Sequence, residues 1–335
     1  SLVGSEMCIR DRFGTDWDRL VEIFRKPSLQ MVSFTITEKG YSVSPADLER
    51  GAEPQLIMGK VTALLYERYQ AGAMPITVQS MDNCSHNGDK VRAAAMAYAE
   101  AWVKAGLVPQ GFLDYLKDES KVSFPWSMID KITPRPDAKV QKMLEEDGFE
   151  DNYTIITDRH TYTAPFVNAE ETEYLVIEDQ YTNGRPPLEQ GGVLYADRET
   201  VDKVEKMKVC TCLNPLHTAM SIYGCLLDYS LISAEMKDED LCGLITKMGY
   251  IEAMPVVVDP GVLKPADFIG AVLNKRLPNP FMPDAPQRIA TDTSQKLSIR
   301  FGETIKAYQA KGLDMDELVL IPLVCWPAMP ATSRA

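Results

Sequence analysis

Glu205-Lys206-Met207-Lys208-Val209-Cys210-Thr211-Cys212-Leu213-Asn214-Pro215-Leu216-His217 is the stretch on which the reading of this chain turns. It follows a Pro/Gly-rich run, Gly184-Arg-Pro-Pro187 and then Gly191-Gly192, and it opens a long segment rich in Ala, Met and Leu. A glutamate, a lysine, an asparagine and a histidine fall within 13 residues on what reads as a helix entering a buried environment. Buried polar groups cost free energy unless they are partnered, so such a cluster on a core helix needs a reason. On spacing alone two readings stand: a capped helix start with an exposed lysine, or a set of catalytic groups.

Upstream of this stretch the chain alternates between strand and helix. Residues 16–26 place Trp17, Leu20, Val21, Ile23 and Phe24 at helical spacing and stop at Pro27. Residues 29–37 are β-branched and aromatic and end at the turn Glu38-Lys-Gly40, which predicts a buried strand. A helix over 54–71, a strand over 75–80 ending in Met81-Asp82-Asn83, and a turn at Asn87-Gly88 before an Ala-rich helix over 89–105 continue the pattern. This is the βαβ grammar of a parallel sheet, in which ligands sit beyond the carboxyl ends of the strands. Thr37-Glu38 and Asp82-Asn83 lie at such ends, as does Ser127-Met-Ile-Asp130 after the loop through Pro125. Residues 137–151 read as a charged helix and turn, and 173–180 as a further strand. From about 197 strands vanish, and helices are expected over 198–210, 212–232, 238–248, 262–276, 294–311 and 314–324. The expected fold class is α/β: a parallel sheet in front and an all-α domain behind, joined near 185–197.

At 335 residues the chain is long enough for two domains. A net charge of −13 argues against nucleic acid or an anionic membrane as partner, so an anionic substrate needs a local cationic pocket. The seven cysteines form no CxxC pair and no ligand-like spacing with the three histidines; a metal site is not expected, and a reducing cytoplasm is the natural compartment. Cys210 and Cys212 read as small buried hydrophobes. No apolar run reaches ~18 residues, the length of a membrane span. Residues 1–12 lack the apolar core of a signal peptide and read as a non-native leader, and 325–335 as a non-native tail. The domains are therefore expected at 13–196 and 197–324. The twenty glycines contain no GxGxxG, the fingerprint that normally holds a dinucleotide pyrophosphate after the first strand. Either the front domain is not a nucleotide binder, or its first half lies outside this chain, and the odd N-terminus favours the second explanation.

Six blocks carry a resemblance. They are Val32-Ser-Phe-Thr-Ile-Thr-Glu-Lys-Gly-Tyr41, Ser80-Met-Asp-Asn-Cys-Ser-His-Asn-Gly88 and Phe124-Pro-Trp-Ser-Met-Ile-Asp-Lys-Ile-Thr-Pro134. Then follow Ile177-Glu-Asp-Gln-Tyr-Thr-Asn-Gly-Arg-Pro-Pro187, the 205–217 stretch, and Asn279-Pro-Phe-Met-Pro-Asp284 leading to Arg288-Ile-Ala-Thr-Asp-Thr-Ser-Gln-Lys296. In this order the chain resembles the polyol-specific long-chain dehydrogenases, the family of mannitol dehydrogenase, fructuronate reductase (mannonate oxidoreductase) and tagaturonate reductase. The resemblance implies a partial Rossmann-type sheet followed by a helical substrate domain, and metal-independent interconversion of a secondary alcohol and a ketone with NAD or NADP.

By the same resemblance Lys208 is the general base, and Asn83 and Asn214 are the paired amides that donate to the substrate oxygen. His217 orients a substrate hydroxyl, Glu205 and Asp130 relay the proton to solvent, and Arg288 and Lys296 grip the substrate chain. Thr37, Glu38 and Asp130, at the strand ends, are the expected cofactor contacts. A lysine normally titrates near ~10.4, so it serves as a base only where burial or neighbouring cations lower that value. One departure stands out: five residues separate Lys208 from Asn214 where the family mostly has four. The extra residue rotates the lysine by ~100° unless a π-bulge absorbs it; alternatively Lys206 or Lys208 is a surface residue.

Plainer readings stand beside these. Asn83 is also a turn residue, His217 a core histidine, Asp130 a partner of Lys131, and Arg288 and Lys296 ion-pair partners of Asp284 and Asp292; His86 and His160 read as surface residues. The Thr-Cys-Leu-Asn-Pro-Leu-His variant points to a hexuronate such as fructuronate, reduced to mannonate, with mannitol or another hexitol as the alternative. The missing fingerprint leaves one reading of another class, a non-catalytic polyol-binding helical module. The expected partner is a small sugar acid or polyol, and the expected state a monomer or weak oligomer.

Overall fold

The computed structural model describes residues 16–49, 54–134, 136–156 and 162–328. It divides into two units: the residues up to Ile129 with Leu175–Asp202, and Asp130–Tyr174 with the residues from Lys203 on. The segment Asp130–Tyr174, expected in the front domain, therefore groups with the helical unit. The proposed leader 1–12 lies outside the described residues, as does 329–335, and so does His160.

In the first unit β1 (Met31–Phe34), β2 (Ile76–Ser80) and β3 (Val122–Ser123) form a parallel sheet in that order. All five residues of β2 are buried, as befits a central strand covered on both faces. The helices are α1 (Trp17–Phe24), α2 (Pro45–Leu48), α3 (Ile57–Gln70), α4 (Asn87–Lys104) and α5 (Gln110–Lys117). On α4, Val91, Ala94, Ala95, Tyr98, Ala99 and Trp102 recur every three or four residues and are all buried. Helix α5 was not anticipated from the sequence; its eight residues bury Phe112, Leu113, Tyr115 and Leu116, too short a run to read as periodic.

Two polar groups hold this unit's strand ends. Arg68, fully buried on α3, donates to the carbonyls of Phe24, Lys26, Leu29, Met74 and Pro75 at 2.7–3.1 Å, joining the end of α1 to the entries of β1 and β2. Asp82, just beyond β2, accepts from the backbone N–H groups of Ile36 and Thr37 at 2.7–3.0 Å and from the Tyr41 hydroxyl. Strand β1 is shorter than the expected 29–37 for this reason: these N–H groups turn to a carboxylate instead of a neighbouring strand, and Thr37 adopts φ +60°.

Residues 127–130, expected at a strand's carboxyl end, follow β3 and are themselves a strand, β4 (Ser127–Asp130). β4 lies in a second sheet ordered with β7 (Tyr174–Glu178) and β8 (Leu194–Ala196); β7 and β8 run parallel. Between them β5 (Ile155–Ile156) and β6 (Tyr162–Thr163) pair antiparallel, so short strands persist where the sequence suggested none.

In the second unit the expected helices are present, but four of them pass through wider π turns. α6 (Ala138–Glu146) precedes the main bundle. α7 (Arg198–Met207) runs into a π turn at Lys208–Cys212, and the expected 212–232 helix breaks into α8 (Asn214–Leu226) and α9 (Ile232–Glu235), with Asp228 at φ +60°. α10 (Glu239–Lys247) continues into Met248–Ala253, and α11 (Pro265–Ala271) into Val272–Arg276. α12 (Pro286–Ala290) was not anticipated, α13 (Thr293–Leu297) passes through Ser298–Gly302 into α14 (Glu303–Lys311), and α15 is Leu320–Ala328. α15 starts later than expected because the Glu252 carboxylate accepts the N–H groups of Val319, Leu320 and Ile321 at 2.6–3.0 Å, capping its first turn. No helix among the described residues is long and apolar enough to cross a membrane.

Gly88, at the start of α4, offers a sharp test of this packing. A Cβ there would lie 2.4 Å from the carbonyl oxygen of Phe124 and 2.7 Å from that of Pro125, both backbone atoms. Gly88→Ala should lower the urea midpoint, with a loss of about 1–3 kcal/mol typical of overpacking and no change in slope.

Candidate active site

Lys208 sits at the first position of the π turn that follows α7, and only 3% of it is exposed. The Leu213 N–H reaches back five residues to the Lys208 carbonyl at 3.1 Å, so the extra residue before Asn214 is taken up in a wide turn. Lys206 is exposed, which leaves Lys208 as the buried lysine of the stretch.

The amine of Lys208 lies 3.3 Å from Asp130 Oδ1. Both oxygens of Asp130 also accept from Arg276, at 2.6 and 3.0 Å, and Arg276 in turn donates to both oxygens of Glu170 at 2.8 and 2.9 Å. Glu170 additionally accepts the Ile132 N–H at 2.7 Å. All four charged groups are buried, so each depends on the others for its charge. Burial lowers the affinity of Lys208 for its proton below the ordinary 10.5; Asp130 and, more weakly, Glu205 oppose this, and Arg276 adds to it. Glu205 is half-buried one turn before Lys208. Asp130 thus has both oxygens committed to Arg276, with Oδ1 also beside the Lys208 amine.

Asn214 opens α8, and His217 follows it one turn later; both are half-buried where Pro215, Leu216 and Thr218 are buried. His217 Nε2 lies 2.8 Å from Asp284 Oδ2, though off the line of a well-directed hydrogen bond. Asp284 Oδ1 accepts from Arg288 at 2.5 Å. Burial works against the charge of Asp284, but the close His217 ring, then Arg288, hold its carboxyl below the usual range. His217 is thus a partnered histidine at the surface of its helix. Arg288 pairs with Asp284, as one of its two sequence readings held, and its side chain is 69% exposed. Lys296 donates to the carbonyls of Ile289 and Thr291 instead of pairing with Asp292. His217, Asp284, Arg276, Leu213, Ile232 and Leu277 line a cavity of about 20 Å³, room for a single water.

In the first unit, Thr37, Glu38 and Asn83 are exposed at the carboxyl ends of β1 and β2, and Glu38 pairs with Lys90 at 2.7 Å. The neighbouring Asn87 is fully buried and ties the end of β2 to the start of β4 through the Asp82 carbonyl and the backbone and hydroxyl of Ser127. His86 is a half-exposed residue stacked on Trp126, ring centroids 3.9 Å apart, and lies 3.2 Å from Asp202.

Sequence reading missed Arg276, Glu170, Asp284 as the histidine's partner, and Glu235. Arg276 and Glu170 are invisible to spacing because their partners lie more than 100 residues away. Glu235 is fully buried, and among the described residues neither carboxylate oxygen meets a hydrogen-bond donor. It fills the space left by Gly224, where a Cβ would lie 2.0 Å from Oε1.

Two outcomes follow. Arg276→Met strands two buried carboxylates and should destabilise the protein by roughly 3–5 kcal/mol in urea titration, the cost of breaking a buried pair. Burial first, then the charge of Asp284, raises the Glu235 carboxyl from 4.5 to about 8. Between those values the folded chain holds a proton that the unfolded chain releases, so stability should fall as pH rises through this window. Thermal midpoints measured across the window should flatten in Glu235→Gln; an unchanged slope would remove Glu235 as the source.

Comparison with known proteins gives the family of the chain. The Mannitol dehydrogenase Rossmann domain family matches residues 8–190, and the Mannitol dehydrogenase C-terminal domain family matches residues 200–325. D-mannonate oxidoreductase of Thermotoga maritima is 53% identical over 323 residues, covering 92% of this chain and 59% of its own length. Polyol:NADP oxidoreductase of Gluconobacter oxydans is 29% identical over 301 residues, covering 84% and 56%. Among solved structures, substrate-free D-sorbitol dehydrogenase superposes with a TM-score of 0.79 at 26% identity, covering 94% of this chain and 63% of that one. Pseudomonas fluorescens mannitol 2-dehydrogenase, in ternary complex with NAD and D-mannitol, gives 0.66 at 27% identity, covering 93% and 61%. The chain thus spans about three fifths of the length of these relatives. With both of its halves matched in order, the chain belongs to the mannitol dehydrogenase family.

Proposed function

We propose that this chain carries the substrate half of an NAD(P)-dependent oxidoreductase that interconverts a secondary alcohol of a sugar acid with its ketone, of the fructuronate/mannonate type. The observation that carries the reading is a buried lysine held beside Asp130, its proton affinity lowered by burial, as a general base requires. The 53% identity to a D-mannonate oxidoreductase supports the sugar-acid substrate over a hexitol.

In the reducing direction protonated Lys208 donates its proton to the ketone oxygen as the substrate carbon gains hydride. In the oxidising direction its free amine accepts the hydroxyl proton as that carbon loses hydride. The Asn214 amide, at the start of α8, donates to the oxygen while charge develops on it, and Asn83 enters on its place in the motif. His217, its imidazole steadied by Asp284, orients a neighbouring hydroxyl. Asp130, and Glu205 one turn before the lysine, pass the proton onward. The nicotinamide cofactor supplies or accepts the hydride. The exposed Thr37 and Glu38 stand at the carboxyl end of β1, where such sheets take their ligands, and would contact the cofactor there.

The test is NADH oxidation with D-fructuronate and with D-fructose by the chain completed to the length of its relatives, beside Lys208→Ala. Fructuronate turnover should fall by on the order of 10²–10⁴-fold in the variant, as for loss of a general base. Mannonate oxidation should rise with pH along a limb centred below 10.5, because burial lowers the lysine, and this limb should vanish in Lys208→Ala. Absence of turnover with either ketone would sink the substrate class, and turnover that survives Lys208→Ala would remove the base.

A further inference from the structure

Of five cations in or around the site helices, four are engaged by the groups described above. Lys208 contacts Asp130, Arg276 is saturated by Asp130 and Glu170, and Arg288 pairs with Asp284. Lys296 is taken up by two backbone carbonyls. The fifth is Arg300. It is half-buried in the π turn Ser298–Gly302, and it donates to the hydroxyl of Thr218. Among the described residues no carboxylate comes within ion-pair distance of it.

A guanidinium withdrawn from water is costly unless an anion meets it. Burial alone weakens the hold of Arg300 on its proton, and no nearby acid offsets this. Arg276 shows what this unit does with a cation meant to be structural: it surrounds it with two acids. Arg300 instead receives one neutral hydroxyl, from a fully buried threonine adjacent to His217 and one turn beyond Asn214. That contact fixes the guanidinium beside the two half-buried polar residues that open α8. Lys296, one turn before Arg300, adds positive charge on the same side of the helix. Other charged groups on the elements packed around this turn are engaged elsewhere: Glu252 caps α15, and Glu303 pairs with Lys306.

We propose that Arg300 is a carboxylate-binding subsite, and the residue that sets a preference for a sugar acid over a neutral polyol; this rests on the reaction proposed above. A planar guanidinium offers paired N–H donors to a carboxylate, which a hexitol cannot use. The charge of a sugar acid replaces the missing anion, whereas a neutral polyol leaves the cation without one.

The experiment is calorimetric titration of D-mannonate and of D-mannitol into the chain, wild type and with Arg300→Met or Arg300→Lys. Wild type should bind mannonate more tightly than mannitol. Arg300→Met should weaken mannonate by on the order of 30-fold or more while moving mannitol less than about threefold. Arg300→Lys, which keeps the charge and loses the paired donors, should fall between. Equal losses for both compounds would assign Arg300 a structural role through Thr218 and overturn the subsite. Mannonate binding unchanged in Arg300→Met would overturn it too, while leaving the reaction intact. Binding of neither compound by wild type, together with inactivity toward both ketones in the assay above, would overturn the reaction and the subsite with it.

Discussion

The bidentate clasp of Arg276 on Asp130 and Glu170 is the constraint on which the helical unit depends. Removing charges from water is tolerable only when they meet at close range with their remaining hydrogen-bonding capacity filled. Asp130 and Glu170 lie near the two ends of the Asp130–Tyr174 segment, and Arg276 lies in the turn after α11. Satisfying one guanidinium therefore pins that segment to the bundle and places a carboxylate within 3.3 Å of the Lys208 amine. The cluster is neutral with the lysine protonated, one cation for each anion. Chemistry that removes the proton exposes the unit to a buried negative charge, and the adjacent guanidinium tempers that change.

The π turns give this unit its second recurring device. Lys208, Glu252, Arg276 and Arg300 each lie in one of the four wide turns found among the described residues. A π turn inserts a residue into a helix without ending it, at some loss of backbone hydrogen bonding. The benefit is reorientation: the side chains of the widened turn point in directions that an unbroken helix denies them. The five-residue spacing from Lys208 to Asn214 is the place where this was visible in advance, because a family pattern supplied a length to compare with. The other three turns had no such reference and read as ordinary helix.

The first unit obeys the same rule about unpaired groups by different means. Arg68 gathers five backbone carbonyls, and Asp82 gathers two backbone N–H groups and a tyrosine hydroxyl. Together they hold the two ends of the parallel strands, so the exposed Thr37, Glu38 and Asn83 stand on a fixed edge. The apolar periodicity of α4 and the fully buried β2 were legible because each reports its own surroundings, residue by residue. The strand at 127–130 is the opposite case: it read as the end of a strand, because its pairing partners are chosen elsewhere in the chain. Val122–Ser123, a two-residue strand too short to announce itself, holds the place beside β2.

The sequence by itself determined the longer strands and helices of the first unit and the helical character of the second half, because these rest on local spacing, and its motifs nominated the lysine, asparagine and histidine proposed for the site. Only the tertiary structure decided which charges are buried and with what partners. Arg276 meets Asp130 across 146 residues of chain and Glu170 across 106, separations over which spacing carries no information. The same holds for Asp284 at His217 and, among the described residues, for the Glu235 carboxyl without a donor and Arg300 without an acidic partner, which are properties of their surroundings. An ionisable side chain has the same letter whether it is solvated, paired or buried without a counter-charge. Its environment, assembled by packing, determines which chemistry it can perform.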